Sequence, residues 1–131
     1  MFKIFLMTSA VVLFSLTGVA SPILSTPAEL SDFCDQMSGP DQHSIKPLAE
    51  LKQSCRETIR NEKFQADALA ICKTLGMGNW TSQAFEMLRC VRVIRDKNYT
   101  QNTIALCRGL QEQDLVSRSS NIINCLIRNE D

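Results

Sequence analysis

Five of the six cysteines obey one spacing. Thirty-five residues separate Cys55 from Cys90, Cys72 from Cys107, and Cys90 from Cys125. The flanks repeat at the same offset. Ile59-Arg60-Asn61 matches Ile94-Arg95-Asp96, and Phe64 matches Tyr99. Ala70-Ile71-Cys72 with Leu75 matches Ala105-Leu106-Cys107 with Leu110. Ile127-Arg128-Asn129-Glu130 echoes Ile59-Arg60-Asn61-Glu62, two residues closer to its cysteine. The first unit is longer, with 38 residues between Cys34 and Cys72. A period in this range marks stacked supersecondary units, most often helix pairs.

The apolar pattern within each unit is helical. Leu48, Leu51, Cys55 and Ile59 share one face, as do Ala68, Ile71, Cys72 and Leu75, and Ala84, Met87, Leu88, Val91 and Ile94. Thr26-Pro27-Ala28-Glu29 reads as a helix start: a capping hydroxyl, a proline suited to the first turn, and a glutamate to complete a capping box. Thr100 and Ser82 are caps for later helices. Ser38-Gly39-Pro40-Asp41 and Gly76-Met77-Gly78-Asn79 break the chain between the helices of a pair, and the third break is polar, near Gln111 to Ser119. These signals predict an all-α fold: three antiparallel helical hairpins, arranged as a right-handed solenoid or a compact bundle and stapled by disulfides. The six helices are expected at about 27–38, 47–62, 65–75, 82–97, 100–111 and 117–128, in units of about 27–62, 63–97 and 98–131.

The first 20 residues read as a signal peptide. Lys3 is the basic end, Ile4 to Leu16 is mostly apolar, and Gly18-Val19-Ala20 is a small-residue cleavage site. Thr8, Ser9 and Ser15 interrupt the apolar run, which falls short of the roughly 18 residues of a membrane span. Cleavage after Ala20 predicts a secreted or periplasmic protein with no stable membrane anchor, a short mobile leader at 21–25, and a single domain over 21–131. Loss of Lys3 removes one of 14 basic residues against 14 acidic ones, leaving a net charge of −1. That balance argues against a nucleic-acid partner, which calls for a strongly basic surface.

An even number of cysteines in a short exported chain implies a disulfide framework. Pairing within hairpins joins Cys34–Cys55, Cys72–Cys90 and Cys107–Cys125 and uses all six. Pairing across the tight inter-repeat turns joins Cys55–Cys72 and Cys90–Cys107, which lie at matching distances from their turns, but it strands Cys34 and Cys125. The hairpin pairing carries an axial offset of roughly 7 Å at Cys72–Cys90, and the inter-repeat turns suit a bridge slightly better on that count. Saturation of all six favours the hairpin pairing, and the alternative stays open. Each hairpin bridge would close a loop of about 20 residues and stabilise by roughly 3 kcal/mol.

Two-helix units of this length resemble the tetratricopeptide and Sel1-like superfamilies, whose cysteine-bearing exported members staple each helix pair. The likeness is architectural, since the Gly-Tyr and Ala signature of those repeats is missing. The unit Ile-Arg-[Asn/Asp]-x-x-[Phe/Tyr]-x7-Cys, over residues 55–129, also resembles short exported cysteine-repeat proteins of predatory bacteria. Neither resemblance implies an activity or carries functional residues onto this chain.

No catalytic constellation emerges. His43 is the only imidazole and sits in a polar loop. Glu50, Glu57, Glu62 and Glu86 are spaced like solvated helix faces. Gly76-Met77-Gly78 lacks the lysine of a phosphate loop. No Cys-x-x-Cys or Cys/His set has metal-ligand spacing, so neither metal nor cofactor is expected. Arg89, Arg92 and Arg95 recur along one predicted helix, with Arg56, Arg60 and Lys63 as a similar set one unit earlier. They read as a solvated face or as a basic ridge for an anionic partner. Trp80, the only tryptophan, is a second possible partner contact. Asn79-Trp80-Thr81 and Asn98-Tyr99-Thr100 fit the glycosylation sequon. The expectation is a non-enzymatic module that binds a protein or peptide. The alternative is a lipid-binding or membrane-active helical protein.

Overall fold

The computed structural model describes residues 23–38, 47–76, 83–110 and 115–129. The expected signal segment and cleavage site, His43, the Asn79-Trp80-Thr81 loop and the expected Ser82 cap lie outside the described residues. Six helices occupy the rest: α1 Pro27–Asp35, α2 Leu48–Ile59, α3 Ala66–Thr74, α4 Gln83–Ile94, α5 Gln101–Arg108 and α6 Leu115–Arg128. The all-α reading holds, with four of the six helices ending about three residues earlier than the periodicity predicts.

The early ends at the inter-repeat turns have a cause in the repeated motif. Asn61 and Asp96, equivalent residues one period apart, take positive φ values of 60° and 57°. Asn and Asp tolerate this left-handed conformation better than most side chains and so stop a helix there. The starts follow the expected chemistry. Thr26 Oγ1 accepts from Glu29 N at 3.2 Å, and Glu29 Oε1 accepts from Thr26 N at 3.0 Å, with Pro27 in the first turn. Thr100 Oγ1 accepts from Thr103 N at 3.2 Å.

The disulfides join Cys34–Cys55, Cys72–Cys90 and Cys107–Cys125, with Cα atoms 5.6, 5.5 and 5.6 Å apart. The inter-repeat alternative is excluded because the helices flanking those turns do not lie side by side. Instead α1 packs on α2, α3 on α4, and α5 on α6 within hairpins, while α2–α4–α6 form one layer and α3–α5 lie in the other. The chain therefore steps diagonally between layers at each inter-repeat turn. The axial offset expected at Cys72–Cys90 is absorbed by stagger, since Cys72 lies near the end of α3 and Cys90 well inside α4. Close approach at that end of the hairpin also needs Gly76. A Cβ there would stand 2.7 Å from Met87 Sδ, and the Gly76 carbonyl accepts from the Gln83 amide.

Position within the array decides which equivalent residues are apolar. Met87, Leu88 and Val91 on α4 are buried, as are their equivalents Ile122, Ile123 and Leu126 on α6. The same positions on α2 hold Lys52, Gln53 and Arg56, which are exposed or half-exposed, with no hairpin packed over them among the described residues. At the other end, Ile71, Leu75 and Glu86 are buried, but their equivalents Leu106, Leu110 and Asn121 are not, because no described hairpin follows. The N-terminal outer face is correspondingly more polar, whereas the C-terminal one keeps the apolar Leu106 and Leu110.

The leader is not mobile over its described part. Ala66 N donates to Ile23 O and Ser25 N donates to Phe64 O, both at 2.8 Å, so Leu24 and Gln65 form an antiparallel bridge. The buried Gln65 amide continues this line to the next turn. Its Oε1 accepts from Tyr99 N at 2.8 Å and its Nε2 donates to Tyr99 O at 3.1 Å. Asp96 N donates to Lys63 O at 2.8 Å, and Asp96 Oδ1 accepts from Lys63 N at 2.9 Å. Leader and both inter-repeat turns are thus laced into one short ladder over buried Phe64 and Tyr99. Gln65→Leu removes both hydrogen bonds to the Tyr99 backbone from a buried site. Urea unfolding of the oxidised protein should then show a loss of about 2–4 kcal/mol; a loss below about 0.5 kcal/mol would mean the ladder is not a fastening.

Candidate functional site

Helical spacing aligns Phe85, Arg89 and Arg92 in one row on the outer side of α4, because residues i, i+4 and i+7 share a face. Arg95 follows at the turn. Phe85 is 48% exposed in the middle hairpin, and Ile127 on the neighbouring α6, one period after Arg92, is 47% exposed. Arg92 and Arg95 are exposed. The structure therefore brings the three sequence-predicted arginines onto a surface that also carries two apolar side chains. Trp80 lies outside the described residues.

Arg89 differs from its neighbours because it is anchored. Glu86 Oε2 is 2.8 Å from Arg89 Nη1 and accepts from Ser119 Oγ at 2.8 Å. Glu86 is only 8% exposed, which corrects its reading as a solvated glutamate. It sits at the α4–α6 contact, where the equivalent residue of hairpin 1 is the apolar Leu51. A buried carboxylate needs such partners to offset its desolvation, and the arrangement holds the Arg89 side chain in place. The earlier basic set is dispersed. Arg56 pairs with Asp35 at 3.0 Å across α1 and α2, and the Lys63 backbone belongs to the turn ladder. Along α2, the row equivalent to Phe85, Arg89 and Arg92 reads Glu50, Ser54 and Glu57, so the cationic patch is bordered by acidic groups.

Sequence reading missed Phe85 and Ile127. Within one helix Phe85 looks like another apolar residue. Its exposure follows only from the 35-residue register, which places it with Glu50 and Ser120. The echo of Ile59-Arg60-Asn61 at 127–129 misled in the same way. In register, Ile127 stands with Glu57 and Arg92, on the solvent side.

Two carboxyls do meet across repeats, at the inter-repeat turns. A hydrogen bond with Asp96 raises Glu62 above the usual glutamate range, and the same bond, with the Lys63 backbone donor, lowers Asp96. At acid pH, where Glu62 is protonated, its carboxyl donates to Asp96. The two carboxyls meet where the Lys63 backbone joins the ladder, and every cysteine is in a disulfide. Among the described residues, no group of three or more His, Cys, Asp or Glu is placed to hold a metal ion, and no helix is long and apolar enough to cross a membrane. A shallow concavity of about 330 Å³ lies at the C-terminal end of the array, lined by Leu106, Leu110, Asn121, Asn124, Cys125, Arg128 and Asn129.

No family model matches the chain, and no curated protein or solved structure is similar to it.

The carboxyl pair gives a pH signature. Glu62, raised in the fold, contributes stability below its unfolded value near 4.5, and that contribution fades as pH rises through the folded value. Asp96, lowered, contributes above 3.8 and loses its part as pH falls. Glu62→Gln keeps a donor at every pH. Thermal melts should therefore show the variant gaining on the native protein at pH 7 and matching it near pH 4; equal differences at both values would rule out the shared proton.

Proposed function

We propose that this chain is an exported, non-enzymatic module that binds an anionic protein or peptide through the outer face of α4 and α6. One observation supports the reading: a half-exposed Phe85 aligned with a fixed Arg89 and an exposed Arg92, beside Ile127. Aromatic and arginine side chains dominate the energetics of protein interfaces. Arg89 needs little further ordering, because Glu86 already holds it, and pre-ordering reduces the entropic cost of association. The acidic border on α2 supports specificity by repelling partners whose negative charge extends too far.

Three disulfides support an oxidising compartment, and the Lys3 to Ala20 pattern supports export by a cleaved signal peptide. The likeness to cysteine-stapled two-helix repeats fits the same reading, since stacked helix pairs offer extended contact surfaces. The lipid-binding alternative draws less support. The apolar stripe of α4 is consumed in the core, and the exposed apolar side chains (Ile23, Leu24, Phe85, Leu106 and Ile127) come from the leader and from three helices rather than from one apolar helix face.

The test compares native and Phe85→Asp/Arg92→Glu proteins as baits in the native envelope or extracellular fraction. Both positions are exposed, so stability should change by no more than about 0.5 kcal/mol each. A partner held by the native protein should lose at least about tenfold in affinity to the double variant. Equal retention by both baits, or no retained partner, would contradict the reading.

A further inference from the structure

The geometry points to the Cys107–Cys125 disulfide as a site of thiol–disulfide exchange, attacked at Cys125 from the open C-terminal end of the array. Cys34, Cys55, Cys72, Cys90 and Cys107 are all at 0% exposure. Cys125 alone is only partly buried, and it lines the end concavity. The difference has a structural origin. Cys90, one period earlier, lies beneath the contact between hairpins 2 and 3. In hairpin 3 the covering residues of a following unit are absent from the described fold, and Leu106, equivalent to the buried Ile71, is 57% exposed.

The surroundings suit an incoming thiolate. Arg128 lines the concavity where hairpin 2 has Val93, and a cation beside the sulfur attracts an anionic thiol and stabilises its thiolate form. Asn129 Nδ2 stands 3.8 Å from Cys125 Sγ while donating to Cys125 O at 2.8 Å. The concavity admits a small thiol or the tip of a protein loop. The ligand class is a thiol reductant, and for complete reduction a dithiol.

The chemistry balances in two displacements. The attacking thiolate forms a bond to Cys125 Sγ as the Cys107–Cys125 bond breaks. Cys107 leaves as a thiolate and takes a proton from solvent. The second thiol of a dithiol then attacks the sulfur of its own mixed disulfide, Cys125 leaves and is protonated, and the reductant departs oxidised. Two electrons and two protons pass to the protein. The other two bridges stay closed, so exchange loosens hairpin 3 alone.

Reduced glutathione is the probe. The oxidised protein is exposed to it under native conditions, quenched with N-ethylmaleimide at increasing times, and mapped by peptide mass spectrometry. The expected first product carries glutathione on Cys125 and N-ethylmaleimide on Cys107, with Cys34–Cys55 and Cys72–Cys90 intact. Arg128→Glu should slow its formation by roughly threefold at low salt. First modification of either other bridge would overturn the proposal. So would glutathione shared equally between Cys107 and Cys125 at a rate indifferent to Arg128→Glu, which would mark fraying of α6 rather than attack on the folded site.

Discussion

A covalent link between two short helices is the constraint on which this fold depends. The six helices run 9, 12, 9, 12, 8 and 14 residues, and isolated helices of that length are marginal in water. Each disulfide ties the last turn of the first helix of a hairpin to the second half of its partner. With only 24 buried hydrophobic residues in the described core, a chain this small gains much from reducing the freedom of its unfolded state. The bridges also fix which faces of the paired helices point outward, and thereby what each hairpin offers its neighbour.

Stacking then relies on backbone and buried polar groups as much as on apolar area. The turn ladder runs from Ile23 through Gln65 to Tyr99 and registers the hairpins at one edge. The Glu86–Arg89–Ser119 cluster registers hairpins 2 and 3 in the α2–α4–α6 layer. Polar contacts of this kind specify one alignment, because a slip would leave buried donors and acceptors unmatched. They also give the middle hairpin a surface unlike its neighbours, since the buried glutamate that fixes the stack also holds an arginine on the outside.

Most of the architecture was legible in the sequence for a physical reason. A repeat with fixed cysteine spacing leaves few helical arrangements, and Thr26 and Thr100 mark helix starts through local chemistry, whereas Asn61 and Asp96 stop two helices that the periodicity carries past them. What escaped depends on contacts between units. The fastening of the leader by Gln65 cannot be seen in a chain read one helix at a time, nor can the burial of Glu86. The inter-repeat bridges suited the local geometry of the turns, and only the diagonal step between layers excludes them. At the proposed contact face, the arginines were visible as a charge pattern, whereas Phe85 and Ile127 required the register and the neighbours to be known.

The account stands on three hairpins, each closed by its own disulfide. Non-reducing proteolysis of the oxidised protein, with mass mapping of the linked peptides, tests this most directly. It should recover Cys34 joined to Cys55, Cys72 to Cys90 and Cys107 to Cys125. Peptides joining Cys55 to Cys72 or Cys90 to Cys107, or six free thiols, would contradict it.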